Sequence, residues 1–414
     1  MKLLNKLLMR VDGVVPLTYA TPSNYWSDIT PGASSATETN VRLRIPFRIG
    51  SASRSELVFG YSGCYSSGTV QNLPNAYSVV KHAIEKSGQT FSVPVTISGV
   101  RTVTVNPGDA IVESDGLLPS AFGLSEFTEG DLYYHRFEYA ITTGGTDLLP
   151  RCPLGYAKFE GGFPACVGLR INPGTFVGSA VDSYGTLAFT SGYTNFSNPY
   201  VPTVLGRAIG PAKSVILIGD SIPGGQIDTT VTKGLMGFSR ALADADGTSN
   251  PIGGMNMGVS GATASIWTSP KLQAYLQYAT HAIEEFGTNG WLTSPGTAPA
   301  TALAQSQAIW DLCTAAGVDP YRVKMIPRTT GNATTPLNAA WASGGNARAF
   351  NALLDTAGVT LITRNSLRVG STEGTDDFYS WTGGAANTGD YTHPNSAGAI
   401  VDAVDLRAGI AAMS

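Results

Sequence analysis

The sequence predicts two units of different class: an all-β sandwich over residues 41–205, and an α/β unit on a doubly wound parallel sheet over residues 206–414. Three observations predict this. The chain has 414 residues, more than one hydrophobic core ordinarily serves. Residues 41 to about 200 alternate apolar and polar side chains with period two, between breaks rich in Gly, Pro, Asn and Asp; half-buried antiparallel strands read this way. After about residue 206, continuous apolar runs alternate with helical stretches, as in parallel sheets whose crossovers cover both faces.

Residues 1–40 read as an N-terminal arm. Its start, MKLLNKLLMR, has lysines interrupting the apolar residues and no small-residue cleavage site after them, so a surface helix or arm is expected rather than a Sec signal peptide. In VRLRIPFRIG, Val41, Leu43, Ile45, Phe47 and Ile49 alternate with Arg42, Arg44, Pro46 and Arg48, predicting a half-buried strand. SELVFGYSG, TFSVPVTISG, RTVTVNPGDAIVESD and DLYYHRFEYAITTGG repeat the pattern, and AYSVVKHAIEKSG predicts a short helix.

In the second unit KSVILIG is a strand buried on both faces, and TTVTKGLMGFSRALADADG is a helix. IGGMNMGVSG is a glycine-diluted strand, SPKLQAYLQYA a helix and THAIEEFGTNG a strand ending in a glycine-rich turn. ATALAQSQAIWDLCTAAG is a helix that Gly317 stops. YRVKMIPR and VTLITR are strands, NARAFNALLDTAG a helix, and PNSAGAIVDAVDLRAGIAAM the closing helix. Sheets of this kind place their sites at the carboxyl ends of the strands.

Composition excludes several function classes. The net charge of -4 offers no electrostatic footprint for nucleic acid or an anionic membrane. No apolar run approaches the roughly 20 residues of a membrane span. The cysteines, at 64, 152, 166 and 313, include no CxxC pair, so neither a metal nor a cofactor is expected. Cys152 and Cys166 could close a short loop. The low cysteine content fits a reducing compartment, or a domain large enough to need no staples.

The chemistry centres on VILIGDS. A strand that stops abruptly at Ser221 presents its hydroxyl at the site rim, with Gly219 permitting the exit and Asp220 holding the turn through backbone hydrogen bonds. A nucleophilic serine needs a base and a group to orient it. There are four histidines. His82 and His135 belong to the β unit, and His281 lies in a strand, where packing is expected. His393 follows Asp390 by three residues in a loop before the last helix. Such a loop lets the carboxylate hold Nδ1–H and leaves Nε2 free for the serine proton. The backbone N–H groups of Ser221 and Gly261 and the side-chain amide of Asn289 are candidate oxyanion donors.

The order Gly-Asp-Ser, Ser-Gly, Gly-x-Asn, Asp-x-x-His, each block after a strand, resembles the SGNH, or GDSL-type, hydrolase superfamily. The resemblance covers residues 206–414 and implies a flavodoxin-like sheet. It implies Ser221, Gly261, Asn289 and His393 as the catalytic four and Asp390 as the histidine's partner. The family's third block is usually Gly-x-Asn-Asp; here Gly290 replaces the last aspartate, which puts loop packing rather than activity in question. The stretch from Val105 to Tyr139 is similar to jelly-roll modules appended to carbohydrate-directed members. The implied activity is hydrolysis of a small acyl ester, acetyl foremost, on a carbohydrate. Ile222, Trp267, Trp291 and Trp381, near the motifs, are the expected substrate contacts. Two alternatives stay open: a general short-chain esterase or thioesterase, and a phage tail or capsid appendage whose hydrolase-like domain trims host polysaccharide or is only structural. A homo-oligomer or virion assembly is compatible with each.

Overall fold

The computed structural model describes residues 15–26, 31–34, 36–151, 167–171, 180–185, 187, 193–195, 198–229, 235–244, 249–291, 296–330, 339–372 and 375–413. The opening MKLLNKLLMR and the Cys152–Cys166 loop, apart from its flank at Arg151, lie outside these residues.

The first half packs two antiparallel sheets face to face. One sheet runs β1 (Leu17–Tyr19), β7 (Thr203–Ala208), β4 (Arg54–Tyr61) and the short strand Val112–Glu113. The other centres on β6 (Leu132–Ala140) between β3 (Asn40–Arg48) and β5 (Tyr77–Lys86). Leu57, Phe59 and Val204 from the first sheet share a core with Leu43, Ile45, Val79 and Phe137 from the second.

Two expectations change here. AYSVVKHAIEKSG is not a helix: Tyr77–Lys86 is a full strand in register with β6. Its Ala, Glu and Lys favour a helix locally, but pairing along a neighbouring strand overrides that preference. Nor is β3 half-buried. Arg42 and Arg44 are buried too, because Arg42 pairs with Glu138 at 2.5 Å and Arg44 with Glu85 at 2.8 Å. Polar alternation here marks a layer of buried ion pairs rather than a solvated face.

The second half is a parallel sheet. Its strands are β8 (Ser214–Gly219), β9 (Gly253–Gly258), β10 (His281–Glu285), β11 (Asp319–Val323) and β12 (Thr360–Ile362), in the spatial order β9-β8-β10-β11-β12. Numbered within this half, that is 2-1-3-4-5, the flavodoxin-like doubly wound order. Every residue of β8 is buried, as a central strand covered on both sides requires.

The principal helices are α1 (Ser221–Gly224), α2 (Pro299–Ala315), α3 (Asn346–Leu354) and α4 (Ser396–Ala412). Gly317, at φ +77°, ends the α2 turn. Two expected helices are reduced. The described part of residues 229–247 holds a 3-10 helix, Gly237–Leu242. SPKLQAYLQYA breaks into a four-residue helix, Pro270–Gln273, and a 3-10 turn, Leu276–Tyr278. The fourth strand starts earlier than YRVKMIPR suggests, and Lys324–Arg328 continue past its end.

Residues 17–25 join the two halves. β1 pairs with β7 in the sandwich, and β2 (Asn24–Tyr25) adds to β9 at the edge of the parallel sheet. Arg54 anchors this strap through the Tyr19 and Gly50 carbonyls at 3.1 and 2.7 Å. The core below the strap is continuous: Tyr19, Trp26, Val58 and Leu205 pack with Ile216, Met255 and Tyr275.

Candidate active site

Strand β8 delivers Ser221. A Cβ on Gly219 would lie 2.3 Å from the Glu285 carbonyl oxygen and 2.5 Å from Pro223 Cγ, so this glycine is required by close approach. Asp220 caps α1, its Oδ1 accepting from Ile222 N at 3.0 Å. Gly225, at φ +71°, closes that single turn. Asn256 in β9 holds the turn from beneath: its Nδ2 donates to Pro223 O at 2.8 Å and Ser239 Oγ at 3.0 Å. Sequence reasoning passed over Asn256; the signal was one amide inside a strand of glycine and methionine.

The loop before α4 carries Asp390 and His393. Asp390 Oδ1 accepts from the amides of Thr392 at 2.9 Å and His393 at 2.7 Å. Its Oδ2 meets His393 Nδ1 at 2.6 Å. Burial pushes this carboxyl up, but the bonds from His393 and Thr392 outweigh it and hold it below its ordinary range. Tyr391 takes a left-handed conformation, φ +59°, and its carbonyl accepts from Thr329 N at 3.0 Å and Trp381 Nε1 at 3.2 Å. The loop is thereby fixed, and His393 Nε2 reaches Ser221 Oγ at 2.7 Å. Nδ1–H donates to Asp390, so Nε2 is left to accept the serine proton.

The remaining blocks converge on the same end of the sheet. Gly261, at φ +75°, follows β9 with open space where a Cβ would point. Asn289 follows β10, and its Nδ2 donates to Ala262 O at 2.8 Å, stitching the third block to the second. Ser221, Ile222, Gly225, Phe238 and Pro394 line a small cleft.

Strand order 2-1-3-4-5, a serine after the first strand and Asp-x-x-His before the last helix now stand together in one arrangement. This is the SGNH-hydrolase fold.

The three tryptophans expected on the substrate are core residues of this fold instead. Trp267, Trp291 and Trp381 are 1%, 0% and 1% exposed. Trp291 packs on Phe350 at 5.2 Å between ring centroids, and Trp381 braces the histidine loop. Large indole surfaces gain more from burial than from partial exposure. His281, buried at the far end of β10, bonds to Thr280 Oγ1 at 2.7 Å.

Behind Ser221 and His393 lies a set of buried charges that the sequence analysis did not single out. Arg364 pairs with Glu285 at 2.7 Å and Asp402 at 2.5 Å, and Arg322 with Glu284 at 3.1 Å. Burial, then the neighbouring Glu285, pushes Asp220 up to about 8, against pulls from the Ile222 amide, Arg322 and Arg328. The adjacent carboxylates at 284 and 285, closing the strand HAIEE, were the available signal. Among the described residues no group of three or more His, Cys, Asp or Glu side chains could hold a metal ion, and no helix is long and apolar enough to cross a membrane.

No protein-family model matches the chain, and no curated protein matches it. Solved structures do. A GDSL-like lipase from Bacteroides thetaiotaomicron is 16% identical, covering 48% of this chain and 88% of its own, with a TM-score of 0.34. A Desulfitobacterium hafniense protein assigned to the G-D-S-L lipolytic family is 12% identical, covering 47% and 98%, with a TM-score of 0.36. A variant of the esterase AlinE4 is 19% identical, covering 37% and 77%, with a TM-score of 0.27.

Proposed function

We propose that the chain is a serine esterase that removes small acyl groups, acetyl foremost, from a carbohydrate. The observation that carries this reading is the hydrogen-bonded series Ser221 Oγ–His393 Nε2–Asp390. Ser221 Oγ attacks the ester carbonyl as its proton passes to His393 Nε2. The N–H groups of Ser221 and Gly261 and the Asn289 amide receive the developing oxyanion. The intermediate collapses, the sugar oxygen leaves with the proton from His393, and an acyl-serine remains. Water, deprotonated by the same imidazole, then releases the carboxylic acid and restores the hydroxyl. Ile222 and Phe238, both nearly inaccessible, wall the cleft beside Ser221, which suits a short acyl chain.

The test is acetate release from a panel of acetylated polysaccharides, with 4-nitrophenyl acetate as the activated control. Ser221→Ala and His393→Ala each remove nearly all turnover, and the double variant loses little more, because the residues act as a unit. Full activity in folded Ser221→Ala would overturn the reading. Cleavage of the activated ester with no polysaccharide turned over would reduce it to a general short-chain esterase.

A further inference from the structure

We infer that Arg328 is a substrate-recognition residue of this site, whose guanidinium receives the carboxylate of an acidic sugar carrying the ester. The inference rests on the esterase reading and names the class of its substrate.

Arg328 lies past the carboxyl end of β11, between two blocks of the site. Its Nη1 donates to Thr288 O at 3.1 Å, and Thr288 immediately precedes Asn289. The next residue, Thr329, donates its amide to Tyr391 O inside the Asp390–His393 loop. The side chain is 9% exposed, yet no carboxylate among the described residues pairs with it, and its Nε has no acceptor. The other buried arginines of this half are spent. Arg240 is held by Asp228, Arg322 by Glu284, Arg364 by Glu285 and Asp402, and Arg348 by Asp376. Arg368 donates to the carbonyls of Arg364, Phe378 and Met325.

A nearly buried cation, bonded to one neutral carbonyl and not directly paired with a carboxylate, lacks the close counter-charge that normally accompanies burial. Asp220 and Asp390 act on it only through space, and burial still dominates, lowering its pKa. A bound substrate can supply the missing charge. The planar guanidinium matches a carboxylate in shape and donor spacing.

The experiment uses the full-length protein, wild type and the variants Arg328→Gln and Arg328→Lys, each confirmed folded by thermal melting. Acetate release is compared on O-acetylated galacturonate oligomers and on acetylated galactose oligomers of equal length. The wild type favours the acidic substrate by at least about tenfold in kcat/KM, the scale of one charge-assisted pair. Arg328→Gln collapses that ratio through KM, and Arg328→Lys keeps part of it. Binding of unacetylated trigalacturonate and galactotriose, followed by calorimetry, gives a readout independent of turnover. No wild-type preference in either assay, or equal losses on both substrates in Arg328→Gln, would overturn the inference. A wild type inactive on every ester that still binds trigalacturonate more tightly than galactotriose would overturn the esterase reading and leave the carboxylate site standing.

Discussion

Asp220 lies next to Ser221 with one oxygen engaged and one idle. Oδ1 caps the helix that carries Ser221, while Oδ2, like Oε1 of nearby Glu285, is buried without a partner. Its carboxyl is raised to about 8, against an ordinary aspartate near 3.9. The folded state therefore holds a proton that the unfolded chain has released, and the stability this acid contributes is lost as pH rises through about 8. Asp220→Asn keeps the capping oxygen and cannot ionise. The variant is expected to gain about 1–3 kcal/mol over the wild type at pH 8, the usual range for one relieved buried polar group. The gain should shrink toward pH 5, as thermal melts across that range would show; a gain that does not vary with pH would refute this account. At this scale the proposed reacting groups were legible as a cluster because such chemistry restricts residue type and order: Ser221, Asp390 and His393 meet in space. The tryptophans misled, since nearness to a motif along the chain says nothing about which way an indole faces. Arg328 and Asn256 carried no motif at all.

At the scale of elements, the strands β4, β5 and β6 bury a relay of aromatic and imidazole groups. Tyr61 OH meets His82 Nδ1 at 2.7 Å, and His82 Nε2 meets His135 Nδ1 at 3.1 Å. Burial holds both imidazoles neutral: His135 falls to about 3, and His82, also opposed by His135 and Arg101, lies well below its ordinary value. The unfolded chain takes up protons near pH 6.5 that the folded sandwich refuses. Stability is thus fully present above about pH 6.5 and lost progressively as pH falls toward 3, by about 1.4 kcal/mol per pH unit for each histidine. Urea titrations at pH 7, 6 and 5 measure the slope; a flat response would mean that the pair protonates in the folded state. Long helices such as α2 and α4 were legible because alanine-rich, helix-favouring sequence runs over several turns in each. Strand β5 was not, since its partner, and not its own propensity, decides its conformation. β1 and β2, at three and two residues, are too short to show any period.

The molecule as a whole is held by the strap of residues 17–25, which contributes a strand to each half, and by the apolar core continuous beneath it. A fragment of residues 206–414 would lose both β2 and the partners of Ile216, Met255 and Tyr275. Such a fragment is expected to aggregate or melt well below the full chain, so that loss on an activated ester accompanies loss on polymer. Circular dichroism and 4-nitrophenyl acetate turnover of the fragment check this; a soluble fragment with full turnover would show that the seam is dispensable. The strap also sets a clock. Protein synthesis proceeds from the amino end, yet Tyr19 N waits for Ser214 Oγ, 195 residues later, and Asn24 waits for Met255 on β9. At roughly 5–20 residues per second on the ribosome, residues 17–25 stay unmatched for about ten seconds or more. The sandwich sheet is finished only with β7, which ends at Ala208, and the parallel sheet only with β12, which ends at Ile362. Assembly is therefore closed late by an early segment: residues 17–25 dock fully only after both β7 and β9 have been made, and a ribosome that stalls before β9 releases a chain whose β2 has no strand to pair with.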